Sequence, residues 1–278
     1  MTPFSFIRII IVGLIIVFAG VMPWSYLIDI NLKFHPDIPW AVFAGTTYLL
    51  LFILYLYGKG WPRSTSEKRR QYIRINKIKR NVWLWAMLGG AFYIIFLTGL
   101  NISGWLLFKI PTENIAEFGS YSQYPSLIIF ISLIFGAINT GVIEEMGFRG
   151  YMQVPLEKHF RPFISIIIVA LFFSILHLPP LPVLPIFVLA STGWGFLAYY
   201  TNSILPGIVF HSLLDGLLWI FFWKNYSAVE KIFQSSILQG DFVTEFIVTL
   251  ATTVSFGILT VLTFLKLSKI KKENEIST

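Results

Sequence analysis

The sequence predicts an all-α polytopic membrane protein of about eight transmembrane helices, and three observations carry that prediction. Hydrophobic residues fill 56% of the 278 positions and charged residues only 13%, whereas soluble domains carry about 25% charged residues. The mean hydropathy is +0.73. The apolar residues gather into runs of the ~20 that a helix needs to cross a bilayer, and inside lipid a helix satisfies its own backbone hydrogen bonds.

The first run is Ile9 to Ile28. Met1 to Arg8 followed by this run resembles a signal peptide, yet the apolar stretch continues through Leu27, longer than an h-region. A retained first helix is expected. The second run is Trp40 to Tyr57. After it, Lys59 to Arg80 carries nine Lys or Arg and reads as a solvated linker facing lipid headgroups. The third and fourth runs are Val82 to Phe108 and Ser126 to about Tyr151. Pro162 to Leu178 is the fifth, ended by Pro179-Pro180-Leu181-Pro182. Leu181 to Tyr200, Ile204 to Trp223 and Phe242 to Leu265 complete the set, and the tail from Lys266 adds four lysines.

An even number of spans puts both termini on one side. The positive-inside rule places Lys59–Arg80 and the tail in the cytoplasm, because the loops near Lys33, Lys109 and Lys224 are poor in basic residues. The expected location is the cell membrane, multi-pass, with both termini cytoplasmic, and the richness in Ile, Phe and Lys is that of a bacterial chain. The net charge of +7 belongs to loops beside apolar spans, so the bilayer is the expected partner and nucleic acid is not. Without cysteine there is no disulfide, thiolate metal site or thiol nucleophile.

Three polar islands interrupt the later spans: Glu144-Glu145-Met146-Gly147-Phe148-Arg149-Gly150, Phe173-Ser174-Ile175-Leu176-His177, and His211-Ser212-Leu213-Leu214-Asp215. Ionisable groups at bilayer depth are costly and mark functional sites. The first three spans contain none of them and read as scaffold. On a helix, sequence neighbours point about 100° apart, so Glu144 and Glu145 are not expected to face one spot. Glu145 and Arg149, at i and i+4, share a face and are expected to pair. That leaves Glu144 free to act on a water or substrate. His211 and Asp215 are also i and i+4. Their spacing suits an orienting carboxylate for the imidazole, two ligands of one metal, or polar groups around a carbonyl. With a turn near Lys158 to Arg161, Glu144 and His177 both lie roughly 20 to 25 Å from it at about 1.5 Å per residue. The two are therefore expected at matching height.

The islands, in this order, resemble the CPBP family of intramembrane proteases, the CAAX prenyl endopeptidase and bacteriocin-processing relatives also called Abi proteins. The family pattern E-E-x-x-x-R, F-x-x-x-H and H-x-x-x-N/D is met by Glu144, Glu145 and Arg149; by Phe173 and His177; and by His211 and Asp215. Phe148-Arg149-Gly150 and Thr201-Asn202-Ser203-Ile204 resemble the family's flanking residues. The resemblance covers roughly Leu127 to Gly216.

It implies an endopeptidase that hydrolyses a peptide bond of a membrane-associated protein or peptide, with the site in the bundle of spans four to seven. Glu144 would be the general base activating water, His177 would help hold the water, and His211 with Asp215 would stabilise the oxyanion or position substrate. The chain then divides, as a single transmembrane domain, into scaffold helices over 1–125, a catalytic helical core over 126–223, and the last helix with its basic tail over 224–278. The family is described both as a metalloprotease and as metal-free. Zinc on His177, His211 and Asp215 or Glu144 is one expectation and glutamate-driven chemistry the other, slightly preferred. Two alternatives compete: a non-catalytic membrane partner or maturation and immunity protein of the same fold, and a proton-coupled transporter using Glu144 or Asp215. Transporters usually carry paired repeats, and this sequence shows one asymmetric cluster instead.

Overall fold

The computed structural model describes residues 2–108, 110–235 and 237–276. Lys109, one of the loop lysines noted above, lies outside them. Among the described residues the secondary structure is entirely helical. Helix α1 spans Pro3–Phe34; the Thr2 hydroxyl accepts from the Ser5 N–H at 3.2 Å and Pro3 opens the first turn. Helix α2, Trp40–Leu56, follows after a turn organised by Asn31. The buried Asn31 amide donates to the carbonyls of His35 and Ile38 at 2.7 and 2.8 Å, and its oxygen accepts from the Ala41 N–H at 2.8 Å.

The linker contains the short α3, Ser66–Tyr72, and leads to α4, Arg80–Leu107. After α5, Ala116–Ser120, come α6, Ser126–Glu144, a π-helical stretch, Glu145–Met152, and α7, Gln153–Glu157. The remaining helices are α8, Pro162–Leu176; α9, Leu184–Thr201; α10, Leu205–Lys224; α11, Tyr226–Gln234; and α12, Val243–Ile276.

Among the described residues all eight apolar runs form helices, and six of the resulting helical segments are long and apolar enough to cross a membrane. The other two, α2 and α8, have 17 and 15 residues. Helix α8 stops just before Leu178-Pro179-Pro180, because a residue before proline is driven out of helical geometry. Helix α12 lies along α4, α6 packs on α10, α8 on α9, and α1 on the π-helical stretch. The last contact is close because both partners present glycine: a Cβ on Gly147 would stand 3.1 Å from the Gly13 carbonyl.

The Lys59–Arg80 linker departs from the solvated reading. Ile73, Arg69 and Arg74 are buried, at 1%, 5% and 6% exposure. Arg74 forks onto the Glu157 carboxylate, which also accepts from the Gln153 amide at 2.7 Å. The Tyr151 hydroxyl donates to the carbonyls of Leu56 and Arg69, and the Ile204 N–H donates to Arg74. The physical reason is that Ile73 joins a buried cluster with Tyr151, Met146 and Ile204, and this anchors the charged residues beside it. Lys59, Arg63, Lys68, Arg70 and Lys77 remain exposed.

Candidate active site

Glu144 closes α6 and Glu145 opens the π-helical stretch, all eight residues of which are buried. Such i→i+5 segments are rare and frequently mark functional sites. Glu145 forms the ion pair with Arg149 that the i,i+4 spacing predicts, at 3.0 Å, with neither side chain exposed. The other edge of Arg149 donates to the Ser191 carbonyl and hydroxyl at 3.0 and 2.9 Å. Its guanidinium carbon lies 5.0 Å from the centre of the Phe173 ring.

The two glutamates do face one group, contrary to the expectation from their 100° separation. His211 Nδ1 meets Glu145 Oε1 at 3.0 Å, while its Nε2 lies 3.7 Å from Glu144 Oε2. The imidazole stands between the carboxylates, so side chains leaving the backbone in different directions reach opposite edges of one ring. His211 Nε2 also lies 3.7 Å from Asp215 Oδ2. Behind Glu145 there is no room for a side chain, since a Cβ on Gly207 would come within 2.6 Å of Oε2.

His177 follows the last residue of α8, and its Nδ1 makes a 2.7 Å hydrogen bond with the Phe173 carbonyl. The carbonyl can only accept, so Nδ1 carries the hydrogen and Nε2 presents its lone pair when the ring is neutral. That nitrogen faces Glu144 Oε2 at 3.8 Å. Glu144 Oε2 is buried and has no hydrogen-bond partner among the described residues. Side-chain exposure rises across the cluster, from none at Glu145 and Arg149 to 20% at Asp215 and 29% at His177. The cluster is therefore sealed behind the ion pair and open beside His177 and Asp215.

Aromatic rings complete the site. Phe173 lies 4.2 Å from the His177 ring and 5.9 Å from that of His211, and Trp194 stacks on His211 at 6.1 Å. Sequence reasoning missed Ser191, Trp194 and Gly207. The signal for the first two lay in Ser191-Thr192-Gly193-Trp194-Gly195 of α9, small residues around one large ring. Gly207 has no comparable signal in sequence.

Among the described residues, no group of three or more His, Asp or Glu is arranged to hold a metal ion. The set of His177, His211 and Asp215 or Glu144 is not assembled as a metal site in this arrangement.

Residues 125–217 match the family model described as Type II CAAX prenyl endopeptidase Rce1-like. This segment, about a third of the chain, holds all six residues of the cluster and is similar to that family of CAAX-type proteases. Helices α1 to α5, α11 and α12 lie outside it. No curated protein and no solved structure matches the chain.

Proposed function

We propose that this chain is an intramembrane endopeptidase that cleaves a membrane-associated protein or peptide, with Glu144 as the base that activates water. The observation that carries the reading is the buried, unpartnered Glu144 Oε2, 3.8 Å from His177 Nε2 and 3.7 Å from His211 Nε2. These separations are too long for direct hydrogen bonds and suit a water between the groups.

In this mechanism a water donates one hydrogen to Glu144 and the other to the His177 lone pair. Glu144 takes a proton as the water oxygen attacks the scissile carbonyl. The developing oxyanion is met by a proton on His211 Nε2, whose ring is held by Glu145 at Nδ1 and flanked by Asp215. Glu144 then returns its proton to the departing nitrogen as the C–N bond breaks, so one carboxyl serves as base and acid. Glu145, paired with Arg149, positions the ring and takes no proton. Substrate enters on the open side, beside His177 and Asp215.

In the same reading all eight apolar helices lie in the bilayer, both termini are cytoplasmic, residues 126–223 form the catalytic core, and the rest of the chain supports it. The test is cleavage of a fluorogenic membrane-peptide library by purified protein, wild type beside Glu144→Ala and His177→Ala. Turnover by the wild type alone supports the proposal. Peptide binding without turnover by any form favours the non-catalytic partner.

A further inference from the structure

A cavity of about 350 Å³ lies between the start of α1, the docked linker and the turn after α7. Its wall carries Arg8, Lys68, Arg69, Lys158 and His159, and no acidic residue is among the described residues that line it. Like charges converging on one space repel one another, and an anion between them reverses the sign of that interaction.

One of these cations is not a surface charge. Arg69 is 5% exposed, and its Nε and Nη1 have no hydrogen-bond partner among the described residues. Its Nη2 makes only long bonds, 3.4 Å to the Pro62 carbonyl and 3.3 Å to the Ser66 hydroxyl, and the Tyr55 ring covers the guanidinium at 4.1 Å. A buried guanidinium with unused donors is costly, and the Arg69 charge adds to those of Arg8, Lys68 and Lys158 along the wall. The hydroxyl-bearing residues Ser5 and Thr65 stand in the same wall.

We propose that this cavity binds the phosphate of an anionic phospholipid headgroup. A lipid is favoured over free phosphate because Phe4, Ile9 and Val12 also line the cavity. They continue into an apolar face of α1, with Phe4, Ile7 and Ile11 at 76%, 54% and 49% exposure, where acyl chains would lie. Basic pockets between membrane helices are a known form of headgroup recognition. Tyr151 of the π-helical stretch lines the cavity as well, so a bound headgroup joins α1, the linker and the segment that follows the glutamates.

The test uses the full-length purified protein and native mass spectrometry with added phosphatidylglycerol or phosphatidylcholine. The wild type is expected to retain phosphatidylglycerol at least about tenfold better. A variant combining Arg8→Gln, Lys68→Gln and Lys158→Gln is expected to lose that preference; all three positions are exposed, and an unchanged Tm checks the fold. A control combining Lys77→Gln, Lys269→Gln and Lys272→Gln removes the same charge elsewhere and is expected to keep it. Equal retention of the two lipids by wild type, or equal loss in both variants, would overturn the site. Displacement of the lipid by millimolar inorganic phosphate would overturn the assignment to a lipid.

Discussion

Glu145 holds His211 by its Nδ1 at 3.0 Å while the same carboxylate oxygen pairs with Arg149 at 3.0 Å. One fully buried group therefore fixes both the His211 imidazole and the Arg149 charge that neutralises it. Replacing Glu145 with Gln leaves an acceptor for His211 but strands a buried guanidinium. Removing one partner of a buried pair costs about 3 to 5 kcal/mol, so a markedly lower Tm in detergent is expected. Glu145→Gln combined with Arg149→Met is expected to recover part of it. An unchanged Tm in Glu145→Gln would remove the structural role of the pair.

Gly207→Ala should disturb the same relationship from behind, because the added methyl would stand 2.6 Å from Glu145 Oε2. Overpacking of this kind costs about 1 to 3 kcal/mol, and Glu145 must move relative to His211. Loss of both stability and turnover is expected. Gly216→Ala on the same helix meets only the Ala137 methyl, at 3.6 Å, and serves as the tolerated control in thermal unfolding and cleavage assays.

Phe173 contacts both imidazoles and the Arg149 guanidinium. Phe173→Leu keeps an apolar side chain but is a large-to-small change at a buried position, which costs about 1 kcal/mol. It removes the ring that orients His177. Turnover is expected to fall about tenfold, equivalent to 1.4 kcal/mol at the transition state, with only a small change in Tm. Equal losses in stability and activity would make Phe173 a packing residue alone.

The apolar runs were legible because a bilayer demands length and composition together, and each run became a helix. The six residues of the cluster were legible because charge within apolar runs is rare and the i,i+4 spacings are local. What escaped depends on tertiary placement. His211 inserts between two carboxylates that the helical step separates, which no single-helix argument contains. The π-helical geometry of Glu145–Met152 is invisible in composition. The linker's charge run masked Ile73, whose burial draws Arg69 and Arg74 inward. Ser191 and Trp194 act through α9, which carries no Asp, Glu, His, Lys or Arg to mark it.

The linker's docking gives its own expectation. Arg74→Gln breaks the fork on Glu157, and hydrogen bonds to charged groups are worth about 1.5 to 3 kcal/mol. The segment containing Lys68 and Arg70 should then be cut faster by trypsin in the folded protein. Cleavage at the wild-type rate would mean that the latch contributes little.

The most direct test of the account is single-turnover cleavage of a membrane peptide by Glu144→Gln beside wild type, with peptide binding and Tm measured on the same samples. The substitution keeps the shape of a group that is 5% exposed and removes its basicity. The account predicts unchanged binding and Tm with turnover reduced about 10²- to 10⁴-fold, the range of general acid–base catalysis. Full turnover by Glu144→Gln would contradict it.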